Sequence, residues 1–101
     1  MDPERISDYN ISDVVKATAG RDREKLFYVV DADEQFLLLA NGKDRPLDRP
    51  KRKKRKHVQK VLRSETRVAD KLRLGDKVLN SELRRDLAFL AGQMQGNNLG
   101  G

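Results

Sequence analysis

Residues 26–30 read Leu-Phe-Tyr-Val-Val, the most strand-like run in the sequence. Aromatic and β-branched side chains favour the pleated, half-buried surface of a sheet. The preceding run, residues 14–19, is β-branched and alternates between apolar and polar side chains, and a polar turn containing Gly20 follows it. Together the two runs predict neighbouring strands of an antiparallel sheet.

Further strand signals follow along the chain. Residues 35–40 form another apolar run of strand length, and the Asn41-Gly42 pair after it is typical of a type I′ hairpin turn. A fourth strand is predicted over residues 43–49, with its proline at an edge or a bulge, and a short closing strand over residues 57–61. So small a sheet is more stable when its edges are closed, so we expect a mainly β fold, a small barrel.

Two helices are predicted after the strands. The first covers residues 65–74, with Ser64 as its N-cap and Gly75 just past its end. The second covers residues 82–91 and carries one apolar face. That face should pack on the barrel, or else bind a protein partner or a second copy, and its residues are Leu83, Leu87 and Leu90.

These elements divide the chain into four parts. A flexible leader is expected over residues 1–10 and a disordered, Gly- and Asn-rich tail over residues 92–101. Between them lie a barrel, residues 11–62, and a helical extension, residues 63–91. The barrel would carry a basic arm at residues 49–57.

Composition excludes several classes of protein. With 101 residues, 37% hydrophobic and 38% charged, the chain predicts one small domain with a modest core. It has no cysteine and one histidine, no Gly-rich phosphate loop and no nucleophile with a histidine partner, so we expect no enzyme, metal or other cofactor. No apolar run approaches the roughly 20 residues that span a bilayer, which predicts a cytoplasmic protein without membrane contact.

The positive charge is concentrated in one place. Seven of the eight residues from Arg49 to Lys56 are Lys or Arg, and residues 43–63 hold 11 basic and two acidic side chains, a net charge of +9 against +6 for the whole chain. A nucleic-acid backbone would relieve this repulsion and release its condensed counterions. A solvated linker, a membrane-surface patch or a protein contact are the alternatives.

An extended conformation would place these cations on two sides of the chain. Alternation puts Lys51 and Lys53 on one side and Arg52 and Lys54 on the other, with Arg55 and Lys56 continuing the pattern. A strand charged on both faces cannot be buried, so we expect the segment to project from the barrel as an arm or long loop.

The chain resembles a KOW motif at residues 13–23 and 26–30. Its continuation is similar to bacterial KOW-domain RNA-binding proteins at residues 42–47, 49–53 and 56–59. These are related to SH3-like-barrel large-subunit ribosomal proteins of archaea and eukaryotes. The resemblance covers roughly residues 11–62 and implies an SH3-like barrel whose first turn and basic segment contact RNA.

The chain departs from the KOW pattern at two positions. The family usually has glycine where this chain has Glu24, and often glycine where it has Ser12. The first glycine ends the turn and needs a positive φ, so either Glu24 costs on the order of 1 kcal/mol there or the turn has a different shape in this chain.

The candidate RNA-binding residues form two groups. In the first turn they are Arg21, Arg23 and Lys25, for which a merely solvated turn is the alternative. In the basic segment they are Arg49, Lys51, Arg52, Lys53, Lys54, Arg55, Lys56 and His57. Lysines would act as point charges on phosphates, whereas arginines could also stack on exposed bases.

Aromatic residues offer few further contacts. Phe27, Tyr28 and Phe36 are expected in the core, although a regular strand would turn either Phe27 or Tyr28 outward, where it could stack on a base. His57 is expected at a barrel edge, with base stacking as the alternative.

The sequence thus predicts a non-catalytic protein that binds structured RNA, most simply ribosomal RNA, in translation. A protein-interaction module of the transcription or translation machinery, or a DNA-binding protein, is the rival.

Overall fold

The computed structural model describes residues 9–100, with side chains up to residue 94. It is a small domain with one five-stranded antiparallel sheet and two helices, which confirms the mainly β prediction. The sheet has the order β4-β3-β2-β1-β5. The elements are β1 (Asp13–Ala17), β2 (Leu26–Ala32), β3 (Phe36–Ala40), β4 (Lys51–Lys54), a 3-10 turn (Arg55–His57), β5 (Val58–Arg63), α1 (Arg67–Leu74) and α2 (Asn80–Gly100).

The sheet is strongly curved but not closed. Its two outer strands, β4 and β5, would lie roughly 19 Å apart in a flat sheet, yet the four residue steps from Lys54 to Val58 span at most about 14 Å. The sheet must therefore curl toward itself. Register shifts between Val14 and Val15 and between Val29 and Asp31 allow this bending, as β-bulges do.

Each face of the curved sheet carries an apolar cluster. Phe27 and Tyr28 point to opposite faces of β2, and neither side chain is exposed. Phe27 lies in a cluster made of sheet residues, whereas Tyr28 lies in a second cluster that includes residues of both helices. The prediction that both lie in the core is confirmed, and neither is open to a base, because the helices cover the part of the outer face where Tyr28 lies.

The apolar face of α2 packs on the sheet. Leu83, Leu87 and Leu90 are all buried in the cluster that contains Tyr28. The face is therefore used for packing within the domain, which is the first interpretation that the sequence allows. The three leucines therefore leave no free surface for a protein partner in the folded domain.

A buried polar network fastens α2 to the sheet. The Tyr28 hydroxyl contacts the Asp86 carboxylate and lies 2.9 Å from Ser64 Oγ, and the Thr66 hydroxyl donates to Asp86 at 2.9 Å. Burial, together with the Asp86 carboxylate, raises the pKa of Tyr28 to about 12. The phenol therefore stays protonated at neutral pH and can donate its hydrogen bond.

The first helix begins two residues later than predicted. Thr66, not Ser64, is its N-cap and accepts the Ala69 N–H, because Ser64 is buried in the Tyr28 network instead. Gly75 ends the helix in the left-handed region with φ of 77°, as predicted.

The segment after β3 is a loop rather than a strand. The Asn41 side chain accepts the N–H groups of Lys43 and Arg45, which folds the chain into a compact turn. Among the described residues of this turn only Gly42 has a positive φ, so the type I′ hairpin prediction is wrong. The fourth strand accordingly begins at Lys51, beyond the predicted range of residues 43–49.

The two ends of the chain also bear on the predictions. Of the leader predicted over residues 1–10, all but Tyr9 and Asn10 lies outside the described residues. At the other end α2 continues through residues 92–100, where the sequence predicts a disordered tail. Neither helix in the described part of the chain has the length and hydrophobicity needed to cross a membrane.

Candidate nucleic-acid interface

The basic run forms an edge strand of the sheet. In the register of β3 and β4, Lys51 and Lys53 stand opposite Leu39 and Leu37, and they are partly buried on the inner face. Arg52 and Lys54 alternate with them on the outer face and are exposed. The predicted two-sided alternation is therefore present over these four residues.

The prediction that this segment projects as an arm is wrong. It inferred, from the fact that a strand charged on both faces cannot be buried, that the segment must leave the sheet. At an edge, however, long side chains can lie along apolar surface and carry their charged ends past the last strand into solvent. Lysines on an edge strand also prevent pairing with another chain. The cations are therefore held at defined positions along β4.

Lys53 joins the basic strand to the first turn. Its Nζ donates to the carbonyl oxygen of Ala19 at 2.9 Å and lies 3.3 Å from where Gly20 would carry a Cβ. Arg21 and Arg23 are exposed on the same turn. The two predicted groups of RNA-binding residues, distant in sequence, are thus brought to adjoining parts of one surface.

Lys25, the third cation of the first turn, is engaged within the protein. It lies 2.6 Å from the Asp44 carboxylate and 3.7 Å from that of Asp22. The hydrogen bond to Asp44 raises the pKa of Lys25. Burial acts to raise the pKa of Asp22, but the hydrogen bond and charge of Arg45 bring it below its usual value. These contacts hold the first turn against the loop after β3.

No side chain of β4 forms an ion pair among the described residues, although the charge of Arg52 acts on Asp33 and that of Lys53 acts on Asp22. Ion pairs in that part of the chain use Lys16, Lys25, Arg45, Lys60, Arg63, Lys71 and Arg73. None of them uses the four cations of Lys51–Lys54, nor Arg49 or Lys56. The strand therefore carries positive charge that no ion pair among the described residues neutralises.

The turn after β4 is held by backbone contacts. Arg55 Nε donates to the carbonyl oxygen of Asp33 at 2.8 Å, and its guanidinium lies 5.5 Å from the centre of the Tyr9 ring. Lys56 is exposed, and His57 is partly buried, with its carbonyl oxygen accepting the Thr18 N–H at 2.9 Å. His57 thus lies in the 3-10 turn that leads into β5, not in a strand at a barrel edge as the sequence predicts, and its backbone is bonded to the chain just after β1.

Phe36 is a residue that the sequence placed in the core and the structure places at the surface. It is partly buried at the start of β3, and the Arg52 guanidinium lies 3.7 Å from the centre of its ring. The signal was present in the alternation of β3. Leu37 and Leu39 are buried inside the curved sheet, which puts Phe36 and Leu38 on the opposite face.

Two residues other than glycine, one shortly before β1 and one shortly before β2, have a left-handed backbone conformation. Ser12 has φ of 78° and Glu24 has φ of 74°, the two positions at which the KOW pattern has glycine. The expected positive φ at Glu24 is confirmed. An L-residue other than glycine pays a steric cost there because its Cβ approaches the following carbonyl oxygen.

Replacing Glu24 by glycine should raise the free energy of unfolding by about 1 kcal/mol, because glycine removes the Cβ clash. The Glu24 side chain is 71% exposed, and its one ion pair, with Lys16 at 3.6 Å, is a surface pair. Losing such a pair costs little stability. Urea denaturation followed by circular dichroism measures the change. Arg23→Gly, at a neighbour without positive φ, should not stabilise. A Glu24→Gly variant no more stable than the parent would contradict the strain.

The described residues hold no group of three or more histidine, aspartate or glutamate side chains placed to bind a metal ion.

Neither a protein-family model nor a curated protein sequence matches this chain. The interpretation of the site therefore rests on its own geometry and charge.

Proposed function

We propose that the protein is a non-catalytic RNA-binding domain of the KOW, SH3-like type. The observation that carries the proposal is the edge strand β4. It has four consecutive cations that form no ion pair among the described residues, tied by Lys53 to a turn with two more exposed arginines. Regularly spaced cations on a folded support suit a polyphosphate better than they suit an isolated acidic side chain.

Two features support the SH3-like part of the proposal. The sheet curls until its outer strands are joined by the three residues of one 3-10 turn, as a small, incompletely closed barrel requires. The left-handed backbone at Ser12 and Glu24 lies where the KOW pattern has glycine. Positive φ is the conformation that glycine adopts most easily, so its occurrence at these two residues supports the proposed resemblance.

The interface would act mainly on the RNA backbone. Lys51, Lys54 and Lys56 supply point charges for phosphates, and Arg21 and Arg23 can make two-pronged contacts. Contacts of this kind position an RNA without reading its sequence. We therefore propose structured RNA, ribosomal RNA first, as the partner, and a role in translation.

Changing Arg49, Lys54 and Lys56 together to glutamine should flatten the dependence of log K on log salt by roughly 2 to 3, since each lost phosphate contact removes about 0.7 to 0.9. All three side chains are exposed, so the fold should persist. Filter binding to a ribosomal RNA fragment across a salt series measures the slope. Duplex DNA of matched length, as competitor, tests the DNA alternative.

The matched control is Arg67, Lys77 and Arg85 changed to glutamine. It removes the same three charges from exposed positions on and beside the helices. Its salt slope should stay close to that of the parent. Equal losses in both variants would mean that net charge alone attracts RNA, and an unaltered slope in the first variant would remove β4 from the interface.

A further inference from the structure

On the outer face of β3 and β4, the side chains of Arg52 and Phe36 contact each other. Arg52 stands opposite Leu38, two register positions from the pair of Phe36 and Lys54, so it is the diagonal neighbour of Phe36 on the same face. Long side chains reach across that diagonal. Here the Arg52 guanidinium lies over the Phe36 ring at 3.7 Å from its centre. The guanidinium is thus in close contact with the ring on one side, as in a cation–π pair.

The opposite face of the guanidinium can accept a further planar group. Arg52 is exposed and forms no ion pair among the described residues, although its charge acts on the nearby Asp33. Two shallow grooves adjoin it, of about 310 and 290 Å³, and Asp33, Phe36 and Arg52 line both. Arginine and aromatic planes are the surfaces on which proteins stack unpaired RNA bases.

Asp33 places an acceptor beside this platform. Its Oδ1 accepts the N–H groups of Gln35 and Phe36 at 2.9 and 2.7 Å, and these hydrogen bonds lower the pKa of the carboxyl. The group is therefore ionised at neutral pH, with Oδ2 left to accept. A carboxylate repels phosphate, but it accepts a hydrogen bond from the exocyclic amino group of a base.

We propose that the Arg52–Phe36 pair stacks on one unpaired RNA base and that Asp33 favours a base with an exocyclic amino group over uracil. Uracil offers a single N–H donor between two carbonyl oxygens, which the carboxylate would repel. This inference rests on the RNA binding proposed above and deepens it. The partner would be an RNA with a bulge or loop nucleotide beside a backbone that lies along β4.

The test compares two RNA hairpins of equal length, one fully paired and one with a single unpaired adenosine. The parent should bind the bulged hairpin about tenfold more tightly, and a bulged uridine should lose most of that gain. Arg52→Lys keeps the charge but loses the planar group, and Phe36→Leu keeps an apolar side chain but loses the ring. Both variants should lose the preference while the salt slope stays unchanged.

A second readout and a control sharpen the result. With 2-aminopurine at the bulge, binding of the parent should change its fluorescence, because the base leaves its neighbours in the RNA for Arg52, and binding of Arg52→Lys should change it much less. Lys54→Gln, on the same face, should flatten the salt slope and keep the preference for the bulge. Asp33→Asn should reduce only the discrimination between adenosine and uridine.

The outcomes separate this inference from the proposed function. Equal binding of both hairpins by the parent, with a steep salt slope, overturns the platform and leaves RNA binding in place. Retention of the preference by Arg52→Lys overturns it as well, even if Phe36→Leu does not fold. Failure of the parent to bind either hairpin overturns the platform and the proposed function together.

Discussion

Replacing Gly42 by alanine should lower the free energy of unfolding by about 2 to 5 kcal/mol. An alanine Cβ would lie 2.3 Å from the carbonyl oxygen of Asn80 and 3.1 Å from the Arg84 nitrogen, both backbone atoms at the start of α2. The residue also has φ of 77°. The left-handed conformation costs about 1 to 2 kcal/mol and the overpacking about 1 to 3 kcal/mol.

The size of the effect reflects how the loop is docked. Arg84 Nη1 donates to the Gly42 carbonyl oxygen at 3.0 Å, and the Leu47 N–H donates to Asn80 Oδ1 at 2.8 Å. These bonds hold the loop that leads into β4 against α2. A displaced loop would break them and leave buried polar groups without partners.

Gly75→Ala is the matched control for this prediction. Gly75 has the same φ of 77°, but no atom lies within 4 Å of its hypothetical Cβ. It should cost only the conformational part, about 1 to 2 kcal/mol. Urea denaturation of the two variants gives both values. Equal losses would show that the approach of Gly42 to α2 contributes nothing.

Replacing Leu83 by alanine should lower the free energy of unfolding by about 2 to 5 kcal/mol. The side chain is completely buried between α2 and the sheet, in the cluster with Tyr28 and Ala40. Truncation leaves a cavity whose lining loses its contacts. Phe89→Ala, on the same helix but 56% exposed, should cost less than about 1 kcal/mol.

The same variant tests whether α2 belongs to the folding unit of the sheet. Since Leu83 and the Asp86–Tyr28 contact join the two, helical circular dichroism and near-ultraviolet tyrosine signals should be lost in one transition. In Leu83→Ala both should shift to lower urea together. Loss of the helical signal well before the tyrosine signal would make α2 an independent extension.

Local patterns in the sequence determined the first three strands and the two helices. Alternation and β-branching placed β1 and β2, an apolar run placed β3, and the spacing of Leu83, Leu87 and Leu90 identified the buried face of α2. Gly75 marked a helix end because few other residues adopt positive φ cheaply. These signals work because each depends on neighbours within a few residues.

Only the tertiary structure determined the conformation of the basic run and the burial of the aromatic residues. Whether residues 51–54 form an arm or an edge strand depends on pairing with β3 across a ten-residue loop, which no local periodicity encodes. Tyr28 is covered, and Phe36 is left beside Arg52, because the helices pack over only part of the outer face. Burial is a property of what the chain brings together from a distance, so the surface on which these side chains act exists only after folding.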